Sequence, residues 1–171
     1  MICEDHEEYQ ESEEDGNSQG FDSEFEQVDL TKVASHIEKL KVDDYQEELH
    51  NVTEVDFNIL ELSRKMPREK ILPVMATKFM NDLELTNIVD QGKLANFLVK
   101  LQSLYLPKIT YHNDLHGADV MQFAYYMMVN CNLIEIFHLD KLDCMSLIIA
   151  AAAHDLGHDG FNNNYHVNAI T

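Results

Sequence analysis

Histidines are concentrated in the C-terminal part of this sequence and recur there at a spacing that suits metal binding. Nine histidines occur in the chain. His112 and His116 are four residues apart, which places two side chains on the same face of a helix. His154 and His158 repeat this spacing, and Asp155 adds a carboxylate directly after the first of them. Imidazole and carboxylate together are a usual ligand set for Zn²⁺, and also for Mn²⁺ or Fe²⁺.

The segment around Asp155 combines neighbouring ligands with a strongly apolar surrounding. His154 and Asp155 can both reach one cation only if the backbone leaves the regular helix there, and Gly157 and Gly160 permit such a departure. The carboxylate also suits a bridge between two cations, the arrangement by which binuclear sites hold a hydroxide. Burying these groups after the apolar run 147–153 is costly unless they are paired or bound to metal. We therefore predict a metal centre here.

The remaining histidines carry no comparable pattern. Isolated histidines in helices are more often ordinary polar residues than ligands, and this interpretation applies to His6, His36, His50, His138 and His166. Residue types and spacing alone thus leave two alternatives open, a metal-assisted hydrolase and a metal-binding helical domain.

The elements that must position these groups are predicted to be helices. Apolar residues recur with a helical period from Val28 onward, beginning with Val33, Ile37 and Leu40. No alternating strand pattern of useful length and no glycine-rich phosphate loop is found, so the predicted class is all-α, a helical bundle. The first predicted helix runs from a Thr53 cap to Met66 with Val55, Ile59, Leu62 and Met66 inward, and the second runs from about Lys70 to Asn81 with Pro73 in its first turn. A third helix, capped by Asp90, is predicted to bury Leu94, Phe97, Leu98, Leu101 and Leu104. Two more are predicted from His116 to Cys131 and, capped by Asp140, from Leu142 to His154.

The run 147–153 has no polar face. A helix that is apolar all round is expected in the middle of a bundle. We also predict exposed apolar surface around it in this chain.

Composition separates an acidic N-terminal segment from the rest of the chain. The formal net charge is −19, and residues 1–29 hold 12 acidic residues and no Lys or Arg. We predict a disordered acidic tail at 1–27 and a domain at 28–171. This balance argues against a nucleic-acid-binding surface, which needs basic groups.

The chain has no feature of a membrane or secreted protein in its sequence pattern. The longest strongly apolar stretch, residues 145–153, is too short to span a bilayer, and no signal peptide is recognised. Three irregularly spaced cysteines suit free thiols in a reducing compartment, so we expect a cytoplasmic protein.

The two histidine groups resemble the paired signatures of the class I 3',5'-cyclic nucleotide phosphodiesterases. The first is the run YHNDLHGADVMQ, which begins at Tyr111, and the second is HDLGHDGFNN, which ends at Asn163. The gap of about forty residues and the buried helix before His154 also fit, and the segment from Asp56 to Ile59 resembles the opening of that catalytic domain. The resemblance covers roughly 54–171 and implies the N-terminal portion of an HD-type helical domain that hydrolyses cAMP or cGMP.

The resemblance implies a role for each matching residue. His112 would be the general acid that protonates the leaving O3' of the cyclic phosphate. His116, His154 and Asp155 would hold a tightly bound Zn²⁺, and Asp155 would also reach a second cation, Mg²⁺ or Mn²⁺, through a bridging hydroxide. His158 would lie behind these ligands, near the bridging solvent. Tyr111 and Asn163 would shape the substrate pocket or orient ligands.

Two departures from the family pattern stand out. Gly157 occupies a position that is usually acidic. The family's later segment, which supplies a fourth ligand and the pocket for the purine, is absent, so we expect a fragment that hydrolyses cAMP negligibly by itself. Two alternatives remain, a non-catalytic metal-binding or interaction module and another HD-type nucleotide phosphohydrolase. The Tyr-His-Asn sequence ahead of His116 argues against the latter.

Overall fold

The computed structural model describes residues 40–169, and in that range the chain is helical throughout, without a β-strand. The α-helices are α1 (Ile59–Lys65), α2 (Arg68–Asp82), α3 (Gln91–Leu104), α4 (Asp114–Asn130), α5 (Leu133–Phe137), α6 (Lys141–Ala153) and α7 (Asn163–Ala169), and 3₁₀ turns occupy Val42–Tyr45 and Leu85–Asn87. The predicted all-α class is confirmed. The predicted acidic tail and the apolar positions Val33 and Ile37 lie outside the described residues. Within the described range, none of the helices combines the length and apolarity needed to cross a bilayer.

Helix α2 is the centre of the bundle and contacts α3, α4 and α6. Its interior side chains are almost completely buried, and Phe79 stacks on Tyr125 of α4 with ring centroids 4.1 Å apart. Tyr125 also donates a hydrogen bond to Asp82. The helix begins at Arg68, earlier than predicted, so Pro73 lies in its second turn and not in the first. Burial of this helix on several sides holds it together despite the missing backbone donor.

Helix α1 is shorter than the helix predicted from Thr53. It begins at Ile59 because the side chain of Asn58 accepts hydrogen bonds from the backbone amides of Leu60 and Glu61, which caps the helix there. Turns precede it, and Val55 is 67% exposed where an inward position was predicted. The predicted burial of Ile59, Leu62 and Met66 is confirmed.

Two predicted caps are confirmed on the helices that follow. Asp90 accepts a hydrogen bond from the Lys93 amide at the start of α3, and Asp140 forms a capping box with Asp143 at the start of α6. On α3 the predicted inward face is narrower than expected. Leu98 and Leu101 are buried, Leu94 is partly buried, and Phe97 and Leu104 are exposed.

Helix α6 is buried on one side only. Cys144, Ile148 and Ala152 face the core, whereas Leu147 is 38% exposed and Ala150 is exposed. The prediction that this helix lies in the middle of the bundle is therefore wrong for the described residues, because no described element covers its second face. The predicted exposed apolar surface is present.

Candidate metal centre

The start of α4 is fixed by Asn113, which caps the helix. Its side-chain oxygen accepts hydrogen bonds from the amides of Leu115 and His116, and its side-chain amide donates to two carbonyls of the preceding turn. The helix begins two residues before the predicted His116. His112 therefore lies in the turn before α4, and the predicted common helical face of His112 and His116 is wrong. Their rings are nevertheless near each other, with centroids 6.0 Å apart.

Helices α4 and α6 approach closely beside the histidines. A Cβ atom on Gly117 would lie 2.6 Å from the hydroxyl oxygen of Tyr105 and 3.2 Å from the carbonyl oxygen of Ala152. The Tyr105 hydroxyl donates a buried 2.8 Å hydrogen bond to that carbonyl, and burial raises the pKa of Tyr105 to about 12. This contact brings His116 of α4 opposite His154, which directly follows α6.

Three predicted ligands converge at this contact. The distances are 3.3 Å between Nε2 of His116 and Nε2 of His154, 3.4 Å from His116 Nε2 to Oδ2 of Asp155, and 3.2 Å from His154 Nε2 to the same oxygen. The donor atoms of a tetrahedral Zn²⁺ site with bonds of about 2.0–2.1 Å lie about 3.3–3.4 Å apart. The triangle therefore has the dimensions of three vertices of such a site.

The protonation states of the two imidazoles suit metal binding. Nδ1 of His154 lies 2.8 Å from the carbonyl oxygen of Ala151. Since a carbonyl only accepts, the neutral ring carries its proton on Nδ1, and its Nε2 then offers a lone pair to the centre of the triangle. Burial and the neighbouring His154 lower the pKa of His116, which favours the neutral form that ligates metal.

Asp155 provides an independent test of the fit. Its Oδ2 atom is buried and has no hydrogen-bond partner among the described residues, although two imidazole nitrogens are close to it. A buried carboxylate oxygen without a donor is costly. A divalent cation between the three donor atoms would remove that cost, so the donor set fits a metal.

His158 lies next to these ligands but differs from them in protonation. The amide of Gly160 donates a 2.9 Å hydrogen bond to His158 Nδ1, so the neutral ring carries its proton on Nε2. His158 is then a hydrogen-bond donor and not a metal ligand in this arrangement. Its ring stacks on His112 with centroids 3.9 Å apart and planes at 15°. Ring or carboxylate atoms of His112, His158 and Asp155 lie within 4.8 Å of one another.

The predicted departure from helical backbone after His154 is present. Helix α6 ends at Ala153, and Gly157 and Gly160 adopt φ values of +73° and +92°. Such values favour glycine because other side chains would be strained. The resulting turn places the Asp155 carboxylate at the triangle of donor atoms and His158 beside that triangle.

The two remaining candidates are placed differently. The ring of Tyr111 is 62% exposed and lies 4.5 Å from the His116 ring and 4.9 Å from the His112 ring, measured between centroids. Asn163 is the exposed first residue of α7, and the contacts that hold the cluster together do not include it. Among the histidines interpreted as ordinary polar residues, His166 contacts Asp159.

One polar cluster beside the site was not predicted from the sequence. Asp114, the first residue of α4, accepts hydrogen bonds on both carboxylate oxygens from Arg68 and one from Gln102. Although burial alone raises the pKa of Asp114, these bonds outweigh it and hold the pKa below the ordinary 3.8. The carboxylate is only 4% exposed and is fully paired.

Comparisons with known proteins agree with these features. Residues 111–171 match the sequence profile of the family described as 3'5'-cyclic nucleotide phosphodiesterase. The chain is 34% identical over 109 residues to the 3',5'-cyclic-nucleotide phosphodiesterase regA of Dictyostelium discoideum, and these residues are 63% of this chain and 13% of that protein. It is 30% identical over 112 residues to the 3',5'-cyclic-AMP phosphodiesterase 4C of Rattus norvegicus, or 66% of this chain and 20% of that protein.

A third relative gives the same assignment over a shorter range. The probable 3',5'-cyclic-AMP phosphodiesterase pde-4 of Caenorhabditis elegans is 35% identical over 81 residues, which are 47% of this chain and 12% of that protein. The chain thus spans a fifth or less of the length of these three relatives.

Proposed function

We propose that the protein hydrolyses 3',5'-cyclic nucleotides, cAMP or cGMP or both, to the 5'-monophosphate. The proposal starts from the match of residues 111–171 to the 3'5'-cyclic nucleotide phosphodiesterase family and takes this segment as part of such a catalytic domain. The observation that carries this proposal is the convergence of His116, His154 and Asp155 around a buried carboxylate oxygen without a donor. This triangle lies within the segment that matches the family.

His116, His154 and Asp155 would hold Zn²⁺, and Asp155 would also contribute to a second site for Mg²⁺ or Mn²⁺. The ions would supply Lewis acidity, which activates water and neutralises negative charge that develops on the phosphoryl oxygens. Zn²⁺ is favoured at the first site because two imidazoles and a carboxylate at tetrahedral spacing are a usual zinc ligand set.

His112 would act as general acid toward the leaving O3' of the substrate. It lies outside the ligand triangle and before α4, so its ring is available for proton transfer. Only the protonated imidazole can donate, and proton transfer by a positioned side chain contributes typically about 10²–10⁴-fold to rate. The stacked ring of His158 restricts the His112 ring to one orientation, and its Nε2–H can donate to an oxygen in the site.

Tyr111 and Asn163 would form part of the substrate pocket. The exposed ring of Tyr111 against His112 and His116 supports a wall of that pocket. We further propose that 28–171 is the N-terminal part of the catalytic domain and that 1–27 is an acidic tail. A cytoplasmic location is supported by the free thiols of Cys131 and Cys144.

The test is an assay of cAMP and cGMP hydrolysis by the complete protein that the gene of this chain encodes, with Zn²⁺ and Mg²⁺ supplied. We expect turnover that chelation abolishes and that zinc restores. Asp155→Ala should remove activity together with zinc binding, and His112→Ala should remove activity while zinc stays bound. His50→Ala, an exposed histidine outside the cluster, is the control and should match the wild type. Wild-type activity in Asp155→Ala would refute the proposal.

A further inference from the structure

The polar cluster of Arg68, Gln102 and Asp114 joins the ends of three helices beside the proposed active site. Arg68 is the first residue of α2, Gln102 lies in the last turn of α3, and Asp114 is the first residue of α4. His112 and His116 lie two residues before and after Asp114. Any shift of Asp114 therefore moves both histidines.

The hydrogen bonds of the cluster fix the orientation of the Asp114 carboxylate. Arg68 donates from Nε to both carboxylate oxygens at 3.0 Å and from Nη2 to one of them, and Gln102 donates at 2.7 Å. A planar guanidinium that binds both oxygens fixes orientation as well as distance. The Gln102 side chain donates its bond to Asp114 even though its own carbonyl oxygen is buried without a hydrogen-bond partner among the described residues.

On the side of Asp114, apolar packing covers this end of α4 only in part. Arg68, Gln102 and Asp114 border an open cleft of about 770 Å³, which Val99 and Pro107 also line. Asn113 secures the turn only to its own neighbours in sequence. The bonds of Asp114 therefore fix the start of α4 relative to α2 and α3, in addition to the packing of Gly117 against Tyr105 and Ala152.

We propose that Arg68, Gln102 and Asp114 are positioning residues that set His112 and His116 in register with His154 and Asp155. This inference rests on the proposed function, because it concerns the same metal centre and general acid. A partly buried ion pair is weak evidence for stability, since desolvation of the Asp114 carboxylate offsets its attraction to Arg68, whose side chain is 45% exposed. Its fixed geometry is the property that the site requires.

The experiment titrates the 171-residue chain with Zn²⁺ against a competing chelator, and with Co²⁺ while the visible absorption of the bound ion is recorded. Asp114→Asn keeps the size of the side chain and removes its charge. We expect a zinc dissociation constant raised about 10-fold, as for groups that orient ligands, and altered cobalt bands. Glu84→Gln breaks the exposed Lys141–Glu84 pair away from the site and should leave both readouts unchanged.

A second variant separates positioning from stability. In Arg68→Met/Gln102→Leu/Asp114→Leu the polar cluster is replaced as a whole, so no buried charge is left without a partner. We expect an unfolding free energy close to that of the wild type, measured with urea, but zinc affinity as weak as in Asp114→Asn. Zinc affinity that recovers together with stability would show a purely structural role and overturn the inference.

The outcomes distinguish this inference from the proposed function. A wild-type chain that binds zinc, together with an Asp114→Asn variant of equal affinity and equal cobalt spectrum, overturns the positioning role alone. A wild-type chain that binds neither ion overturns the metal centre, and the positioning role with it.

Discussion

Asp114 and Asp155 are two little-exposed carboxylates at helix ends, and their surroundings differ in one respect. Asp114 accepts hydrogen bonds from Arg68 and Gln102, so its charge is balanced within the protein. Asp155 directs Oδ2 toward His116 and His154 without a hydrogen bond, and no described residue supplies the missing donor. The first carboxylate is fully paired within the folded chain, whereas a bound cation would supply the partner that the second lacks among the described residues. The number of hydrogen-bond donors around a buried carboxylate therefore distinguishes one that stabilises the fold from one that is suited to bind a cation.

The largest expected effect is a difference in unfolding free energy between variants of the two carboxylates, measured without metal. Asp114→Ala leaves Arg68 and Gln102 without their acceptor, and because the Arg68 side chain is 45% exposed to water, we expect the unfolding free energy to fall by about 1.5–3 kcal/mol, the range for a hydrogen bond to a charged group. Asp155→Ala removes a carboxylate that lacks a donor, so it should leave stability unchanged or raise it. Urea unfolding in the presence of a chelator measures both. A loss of similar size in the two variants would remove the distinction.

The pairing of Asp114 should also make the stability of the protein depend on pH in the acid range. Because the folded-state pKa of Asp114 lies below its ordinary 3.8, the charged form is favoured by folding. This stabilisation is present above about pH 4 and is lost as the pH falls through the folded-state value. We expect the wild type to lose stability steeply below pH 4 and Asp114→Ala to lose less. Parallel curves for the two proteins would contradict this assignment.

An intermediate effect is expected at the contact between α4 and α6. Gly117→Ala places a methyl group 2.6 Å from the Tyr105 hydroxyl, and such overpacking costs about 1–3 kcal/mol. Separation of the helices should also weaken zinc binding, because His116 and His154 lie on opposite sides of the contact. Calorimetry of zinc binding and urea unfolding measure the two effects. Gly92→Ala on α3 is the matched glycine control and should keep wild-type zinc affinity.

The smallest effect is expected for Tyr105→Phe, which removes the hydrogen bond to Ala152 and costs about 1 kcal/mol. Burial raises the pKa of Tyr105 to about 12, so its neutral form is favoured by folding. The resulting stabilisation is complete below pH 10 and lost between pH 10 and 12. Stability curves of wild type and variant should therefore converge across that interval. Curves that stay parallel would show that Tyr105 does not titrate in this way.

The parts of the fold and of the candidate site that depend on residues close together in sequence could be predicted. Asp90 and Asp140 are predicted caps that the structure confirms, and the resemblance to the phosphodiesterases implies the set His116, His154 and Asp155 whose donor atoms lie close together. The caps Asn58 and Asn113 are not predicted. Apolar positions at helical spacing continue ahead of Asn58, although its side chain begins the helix only there. Asn113 begins α4 two residues before the predicted His116, and His112 lies in the turn before it.

Contacts between distant residues could not be predicted. Arg68 and Asp114 are 46 residues apart, and Tyr105 and Ala152 are 47 apart, so no period in the sequence relates them. The one-sided burial of α6 has the same cause. An apolar run indicates which residues favour burial, while the neighbouring elements determine which of them are covered.

The proximity of His116 and His154 has a consequence for the folding of the chain. These residues are 38 positions apart, and a single ion held by both would close the intervening chain into a loop. By the chain-entropy relation for cross-links, closing a loop of this length lowers the entropy of the unfolded chain by the equivalent of about 4 kcal/mol. A zinc ion that remains bound during unfolding would then act as a removable cross-link between α4 and α6, comparable to a disulfide that chelation can open.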